Sequence, residues 1–204
     1  VKEGFLGKLL MGNAHINWYR NNEYYTNNPW RGTFQFDGGA AFMNQGIHTI
    51  DLLLRIMGPV HSVFGNVRTM VHDIEGEDVG SGIVNFKNGA MGAITGGTAL
   101  LPGYPERLEI YGELGSIILE GGKITQWNVA NMPAPKIMKN SSKSSGASDP
   151  TSIGHLNHKI MIEDMIDAIN ENKTPMVDGA EARKSVALIS AIYRSSKEAK
   201  LILL

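Results

Sequence analysis

The sequence predicts one α+β domain, in which a largely antiparallel, open β-sheet carries helices on one face. Three observations favour this fold. The chain has 204 residues, 42% hydrophobic and 19% charged, which is enough to bury a substantial core. Short alternating β-rich runs follow Pro59, and segments with a helical period stand on either side of them. Since no repeat or linker is evident, residues 1–204 are expected to form a single domain.

The N-terminal part predicts a strand followed by a polar loop. Residues Phe5–Tyr19 are mostly apolar or small and predict a long strand. The polar loop then runs to Gly38-Gly39, and loops on a rigid scaffold often carry function. Its aromatic and cationic residues are the candidate ligand-binding groups: Arg20, Tyr24, Tyr25, Trp30 and Arg31.

The next segment has the clearest helical period in the chain. Its apolar residues recur at intervals of three and four, and Gly58-Pro59 predicts the end of the helix. A polar stripe lies beside the apolar one on the same helix. The expected buried stripe is Met43, Ile47, Ile50, Leu54 and Met57, and the polar stripe is Asn44, His48, Asp51 and Arg55.

After Pro59 the sequence predicts strands joined by turns. Asn88-Gly89 favours a type I′ hairpin turn, and Gly121-Gly122 indicates another turn. The acidic residues Glu75, Glu77 and Asp78 are expected to be solvated turn residues. Residues 139–152, rich in Ser, Lys, Gly and Asn, predict a mobile surface loop.

Two helices are expected to close the chain. Ile162, Met165 and Ile169 share one face of the first. Asp178 followed by Glu181 is a capping-box pattern that predicts the start of the second helix. The apolar positions expected on that helix are Ala182, Val186, Ile189 and Tyr193.

Composition and charge disfavour several classes of partner. The formal net charge is −1, and no basic run is interleaved with aromatic residues, so no nucleic-acid partner is expected. The chain has no cysteine, which fits a cytoplasmic location. No apolar stretch approaches the ~20 residues needed to cross a bilayer, so no membrane partner is expected. The first residue, Val1, suggests an excised or truncated product.

The helix with the polar stripe aligns an imidazole, an amide and a carboxylate. Asn44 lies one turn before His48, and Asp51 lies nearly one turn after it. The amide and the imidazole could therefore act on one bound hydroxyl while Asp51 orients the ring. The same spacing more often reflects a satisfied polar contact at a helix surface. A single His with Asn and Asp lacks the paired His residues of a zinc helix, so no metal is expected.

The aromatic loop has two interpretations. Its rings could stack on a sugar, while its guanidinium groups bind phosphates or carboxylates of a sugar nucleotide. The same side chains could equally clamp the loop onto its own sheet. No glycine-rich segment has the spacing of a dinucleotide fingerprint between strand and helix.

Several segments, in the correct order, closely resemble one family signature. The longest is Asp37–Asp51, preceded by Trp30-Arg31-Gly32-Thr33, and shorter matches extend over nearly the whole chain. Those shorter matches are residues 4–8, 58–60, 86–90, 107–112 and 115–116. Together they resemble the C-terminal domain of the glucose-fructose oxidoreductase / inositol dehydrogenase (Gfo/Idh/MocA) family.

The resemblance implies a dihydrodipicolinate reductase-like C-terminal domain of a two-domain enzyme. An N-terminal Rossmann domain, absent from this chain, would hold NAD or NADP, and the sheet would cover the nicotinamide and a sugar. A homo-oligomer built through the outer sheet face is also implied. His48 matches the family's proton-transfer His, and Asn44 stands where many members have Asp, so it would orient a hydroxyl. With Gln45, the pattern is most similar to the branch acting on nucleotide-linked amino sugars.

The expected function is therefore oxidation of a sugar or nucleotide-linked sugar hydroxyl by hydride transfer to a nicotinamide. His48 and Asn44 are the expected catalytic residues, Gln45 joins the substrate-binding set, and the fragment alone is expected to be inactive. Two rivals remain. One is a non-catalytic oligomerisation or sugar-sensing module, which would lack a glycine-rich βαβ unit upstream. The other is an NAD-dependent glycosidase of the same family, which product analysis on a glycoside would identify.

Overall fold

The chain is described here from a computed structural model, which describes residues 3–135 and 156–204. Residues 139–152, predicted to form a mobile loop, lie outside the described residues. Eight strands form a single open sheet within the described part. They are β1 Leu9–Asn17, β2 Val60–Arg68, β3 Val79–Phe86, β4 Met91–Gly97, β5 Arg107–Gly112, β6 Gly115–Glu120, β7 Lys123–Val129 and β8 Ile202–Leu203.

The strand order across the sheet is β7-β6-β5-β1-β4-β3-β2-β8. Central strands β1 and β4 are parallel, and the other neighbouring pairs are antiparallel. The prediction of a largely antiparallel open sheet with helices on one face is confirmed. Strand β1 is shorter than predicted because the backbone N–H of Gly7 bonds to the Gly4 carbonyl, at 2.8 Å, in a turn before the strand.

The two predicted hairpin turns differ in outcome. Gly121 and Gly122 both have positive φ, as a two-residue type I′ turn between β6 and β7 requires. At Asn88-Gly89 only the glycine has positive φ, so the type I′ prediction is wrong there. The Asn88 side chain donates to the Met57 carbonyl at 2.9 Å and accepts from the Ala90 N–H at 3.0 Å. These bonds accompany a four-residue loop that connects β3 and β4.

Four α-helices and one π-helical turn complete the described chain. The helices are α1 Asn22–Thr26, α2 Ile47–Met57, α3 Leu156–Asn170 and α4 Gly179–Glu198, and the π-helical turn is Ala41–Gly46. Neither α1 nor the π-helical turn was predicted. Helix α2 buries Ile50, Leu54 and Met57 as expected and ends at Gly58, but Met43 and Ile47 are only partly buried.

Helices α2 and α4 pack against one face of the sheet and form the core with it. Asp178 caps α4, since its carboxylate accepts from the Glu181 N–H at 2.8 Å, as predicted. The buried stripe of α4 differs from the expected one, because Val186 and Ala182 are exposed. Residues buried on α4 are Ser185, Leu188, Ile189, Ala191, Ile192 and Ser195.

Two apolar surfaces of the described residues are uncovered. The sheet face opposite the helices exposes Phe64 by 45%, Ile83 by 55% and Met91 by 47%. Helix α3 is amphipathic, but its apolar side is also exposed, and Ala168 is its one buried residue among the side chains described. The exposed large apolar residues of α3 are Ile160, Met161, Ile162, Met165, Ile166 and Ile169. No helix in the described ranges is long and apolar enough to cross a membrane.

Candidate functional site

A buried carboxylate holds the start of the segment that carries the site. Glu77 accepts from the backbone N–H groups of Ala40 at 3.2 Å and Phe42 at 2.6 Å, and its own carbonyl accepts from Ala41 at 3.1 Å. The Tyr193 hydroxyl donates to the same carboxylate at 3.0 Å. Glu77 is only 3% exposed, so the expectation that it is solvated is wrong. The donors left free at a helix start provide partners for the buried carboxylate.

Asp78 is also fully buried, contrary to the expectation of a solvated turn residue. Its carboxylate accepts from the backbone N–H groups of Met70, Val71 and His72 at 2.7 to 2.9 Å. Burial by itself raises the pKa of Asp78, but these hydrogen bonds outweigh burial and hold the pKa below its ordinary value. Glu75, by contrast, is exposed as expected.

The π-helical turn presents a chain of amide hydrogen bonds. Asn44 Nδ2 donates to Asp37 Oδ1 at 2.7 Å, and Gln45 Nε2 donates to Asn44 Oδ1 at 3.0 Å and to the Tyr24 hydroxyl at 3.0 Å. The Asp37 carboxylate, which also accepts from Gly32 N–H at 2.9 Å, can only accept hydrogen bonds. It therefore sets the orientation of the Asn44 amide, which in turn sets that of Gln45.

One atom of this network is left without a partner. Gln45 is 6% exposed, and its Oε1 has no hydrogen-bond partner among the described residues. A buried acceptor in this state costs about 1–3 kcal/mol. Because the network prevents the amide from flipping, Oε1 remains a buried acceptor without a donor among the described residues.

His48 lies on α2 beside this network, and its side chain is exposed. The structure does not show the expected contact with Asp51. Instead the Ser185 hydroxyl of α4 donates to Asp51 Oδ1 at 2.7 Å. The buried Ser185 needs an acceptor, and Asp51 is the carboxylate that faces it. The His48 imidazole is therefore left open to solvent and to ligands.

Tyr24 is the centre of the aromatic loop. The guanidinium of Arg31 lies 3.9 Å from the Tyr24 ring centroid, and that of Arg20 lies 5.2 Å from it. Arg31 Nη1 also donates to the Tyr24 carbonyl at 3.0 Å, and the Asn21 side chain caps α1 by accepting from Tyr24 N–H at 3.0 Å. The Tyr25 ring meets Tyr24 edge to face at 5.1 Å. Tyr24 is thereby held in one orientation beside Gln45.

The loop residues divide by accessibility. Arg20 and Tyr25 are buried, and the Tyr25 hydroxyl shares a hydrogen bond of 2.7 Å with the Thr98 hydroxyl. Burial raises the pKa of Tyr25 to about 12 and lowers the pKa of the Arg20 guanidinium. Trp30 is 45% exposed, and Arg31 is half-buried. Arg20 and Tyr25 hold the loop on the sheet, whereas Trp30 and Arg31 can reach a ligand.

The structure brings Tyr24, Asn44 and Gln45 into one hydrogen-bonded group, with His48 on the next turn of helix. Sequence reasoning missed Asp37 and Glu77, which orient this group from outside it. An acidic residue just before Gly38-Gly39 was a usable signal for Asp37. No local signal indicated Glu77, because its partners lie 35 or more residues away in the chain.

Five surface cavities of about 320 to 680 Å³ are lined by other residues, and none of the five includes His48 or Asn44. Within residues 3–135 and 156–204, no group of three or more His, Asp or Glu side chains could hold a metal ion.

The described residues thus form an open, mostly antiparallel sheet covered on one face by helices, with the His48 imidazole and the amide network at the start of α2. A family model described as the GFO/IDH/MocA C-terminal domain matches residues 1–118. The chain belongs to this family, and the resemblance seen in the sequence is confirmed.

The similar proteins include dehydrogenases of known structure. The WlbA dehydrogenase from Bordetella pertussis, in complex with NADH and UDP-GlcNAcA, has a TM-score of 0.86 and 33% identity. The alignment covers 100% of this chain and 58% of that chain. The WlbA dehydrogenase from Chromobacterium violaceum, with the same two ligands, has a TM-score of 0.82 and 31% identity, covering 100% of this chain and 56% of that one.

A curated dehydrogenase is also similar to this chain in sequence. Myo-inositol 2-dehydrogenase from Thermotoga maritima is 33% identical over 92 residues, which are 43% of this chain and 28% of that protein. The chain thus spans somewhat more than half the length of the WlbA chains and matches a smaller part of the inositol dehydrogenase.

Proposed function

We propose that this chain is the substrate-facing domain of a nicotinamide-dependent oxidoreductase that oxidises a hydroxyl of a sugar or nucleotide-linked sugar. The observation that carries the proposal is the exposed His48 imidazole beside an amide network that leaves the buried Gln45 Oε1 without a donor. The similarity to WlbA, in complex with NADH and UDP-GlcNAcA, over the whole chain supports the same conclusion.

Each residue has a proposed role that follows from its position. His48 Nδ1 or Nε2 accepts the proton of the reacting hydroxyl, since the ring is exposed and makes no hydrogen bond among the described residues. The Asn44 amide, held by Asp37, orients that hydroxyl. Gln45 Oε1 accepts from a second hydroxyl or an N–H of the substrate.

The aromatic loop is proposed to form one wall of the substrate site. Trp30 offers a ring face to a sugar, Tyr24 contributes to the wall with Arg31 packed on its ring, and Arg31 offers guanidinium N–H groups to a phosphate or carboxylate. Arg20 and Tyr25, which are buried, belong to the proposed site as its support and shape the wall from behind.

The proposed cofactor is NAD or NADP, which would accept the hydride. Among the described residues, the glycine-rich segment Gly38-Gly39 precedes a helical turn, but this turn is not suited to bind the phosphates of the dinucleotide. The N–H groups that follow Gly38-Gly39 are already taken by Glu77. A Cβ at Gly39 would also collide with the Tyr193 hydroxyl, so this turn is filled. Another domain would have to bind the phosphates.

A homo-oligomer through the open sheet face also belongs to the proposal. Phe64 and Ile83 are cross-strand partners on this face, and Met91 lies on the neighbouring strand. Exposed apolar surface of this kind usually meets another protein surface. Replacing Ile83 with Lys should dissociate the oligomer in analytical ultracentrifugation, and an unchanged sedimentation coefficient would contradict an interface at this sheet face.

The test of the proton-transfer role uses His48→Ala in a polypeptide that also carries the nucleotide-binding domain. Loss of a general base should lower kcat by about 10²-fold or more. The matched control is His61→Ala, which removes an exposed histidine from β2. Unchanged turnover in the His48 variant would refute the role, and cleavage of a glycoside without net oxidation would refute the dehydrogenase assignment.

Gln45→Met tests the binding role separately, because Met has a similar length but no strong acceptor. The expected result is a higher KM for the substrate with a smaller change in kcat. A variant whose KM equals that of the unaltered enzyme would show that Oε1 does not contact the substrate.

A further inference from the structure

A buried histidine joins the aromatic loop to the sheet. His72 is 7% exposed and lies between β2 and β3. Its Nδ1 lies 3.1 Å from Asp78 Oδ2, and its Nε2 lies 2.9 Å from the carbonyl oxygen of Arg20. Both partners are acceptors, whereas a neutral imidazole has only one N–H. The doubly protonated ring is the form that satisfies both contacts.

The surroundings of the ring can hold this charge. Asp78 keeps its carboxylate ionised, because backbone N–H bonds outweigh the effect of burial, and it supplies the opposite charge directly at Nδ1. The Tyr25 ring packs against the imidazole at 4.9 Å, and its hydroxyl bonds to Thr98. The Arg20 guanidinium lies over the rings of Trp18 and Tyr24. A buried charge is tolerated when it is paired and hydrogen-bonded in this way.

The contact between His72 Nε2 and the Arg20 carbonyl lies directly before helix α1. Arg20 immediately precedes Asn21, which caps α1, and α1 carries Tyr24 and Tyr25. The Tyr24 hydroxyl then accepts from Gln45. A displacement of the Arg20 carbonyl would therefore move Tyr24 relative to the amide network.

We propose that His72 is a positioning residue that, as an imidazolium, holds the Arg20–Tyr25 segment on the sheet and so sets the aromatic wall of the substrate site. The statement about the wall rests on the proposed function, whereas the charged ring and its two hydrogen bonds do not. Deprotonation would force the ring to keep one contact and place a lone pair against the other acceptor.

The first test observes the ring itself in the unaltered chain. Two-bond ¹H–¹⁵N spectra at pH 7 should show both His72 nitrogens protonated, because each faces an acceptor. A His72 spectrum with one unprotonated ring nitrogen at pH 7 would overturn the proposal. This measurement needs no variant and no activity.

The second test separates the two hydrogen bonds. His72→Gln places an amide N–H near the position of Nε2 and can keep the Arg20 contact, whereas His72→Asn places one near Nδ1 and can keep only the Asp78 contact. Backbone hydrogen exchange of Tyr24 and Tyr25 should rise at least ~10-fold in the Asn variant and less than ~3-fold in the Gln variant. Equal protection in both variants, or greater loss in Gln, would contradict the positioning role.

The third test links position to substrate binding in the polypeptide with its nucleotide-binding domain. His72→Asn should raise the substrate KM more than it lowers kcat, and His72→Gln should largely restore KM. If His48→Ala loses turnover as proposed but His72→Asn leaves KM unchanged, the inference about the wall fails alone. If His48→Ala is fully active, the proposed function fails, while the spectra and exchange data still decide the state of His72.

Discussion

Replacement of Glu77 by Gln tests whether a buried carboxylate organises the site. In the native structure, one carboxylate oxygen accepts from Phe42 N–H and the Tyr193 hydroxyl, and the other accepts from Ala40 N–H. A Gln side chain can keep its oxygen at the first position, but its NH2 group then faces the Ala40 N–H. One charge-assisted bond is lost, and two buried donors are left without an acceptor.

The magnitude follows from two opposing effects. A hydrogen bond to a charged group contributes about 1.5–3 kcal/mol, and buried donors without acceptors add a desolvation cost. Burial raises the pKa of Glu77, so removing its charge recovers part of that cost. We expect the loss of bonds to dominate, with the free energy of unfolding lowered by about 2 kcal/mol in Glu77→Gln and about 4 kcal/mol in Glu77→Ala.

Urea unfolding followed by tryptophan fluorescence measures these differences, since the chain has three tryptophans. The matched control is Glu75→Gln, because Glu75 is exposed and accepts a single bond from Phe34 N–H. The control should lie within about 0.5 kcal/mol of the unaltered chain. If Glu77→Gln is equally mild, the carboxylate does not hold the helix start and the reasoning is wrong.

Three further predictions concern the sheet, the amide network and the response to acid. A Cβ at Gly92 would collide with the Gly12 carbonyl across the parallel β1–β4 pair, so Gly92→Ala should cost about 2–3 kcal/mol of unfolding free energy in urea. Gly82→Ala, where the nearest atom is 3.6 Å away, should cost less than ~1 kcal/mol, and similar costs would contradict the collision. Asn44→Asp would set two carboxylates at the 2.7 Å contact with Asp37, so stability at pH 8 should fall by about 1–2 kcal/mol. The double variant Asp37→Asn/Asn44→Asp should restore the stability lost in Asn44→Asp. If it does not, the two residues do not stabilise the chain through this hydrogen bond. The pKa of Asp78 is lower in the folded chain than its ordinary value, so its contribution is present above about pH 4 and is lost as the pH falls through the folded pKa. Asp78→Asn should therefore be less stable than the unaltered chain at pH 7, and the gap should narrow in acid; a constant gap from pH 7 to pH 3 would exclude this linkage.

Sequence patterns were sufficient where the determining interactions are local. The three- and four-residue spacing of Ile50, Leu54 and Met57 located α2, and Asp178 located the start of α4. Gly121-Gly122 likewise specified its turn. These features depend on helix period, capping and backbone φ, which involve residues a few positions apart.

The site itself was predictable only in part. Asn44, Gln45 and His48 were found because they share one helical segment, but the π-helical turn that carries the first two was not foreseen. Glu77 holds the start of this turn, and a residue 35 positions along the chain leaves no periodic signal in the segment that it stabilises.

The sequence by itself determined the α+β class, the main helices and the polar stripe, because side-chain periodicity is read directly from neighbouring residues. Only the tertiary structure decided that Asp51 binds Ser185, 134 residues away, and that Glu77 and Asp78 are buried. The physical reason is that a charged side chain can be buried only where donors from distant segments converge on it, and that convergence exists only in the folded chain.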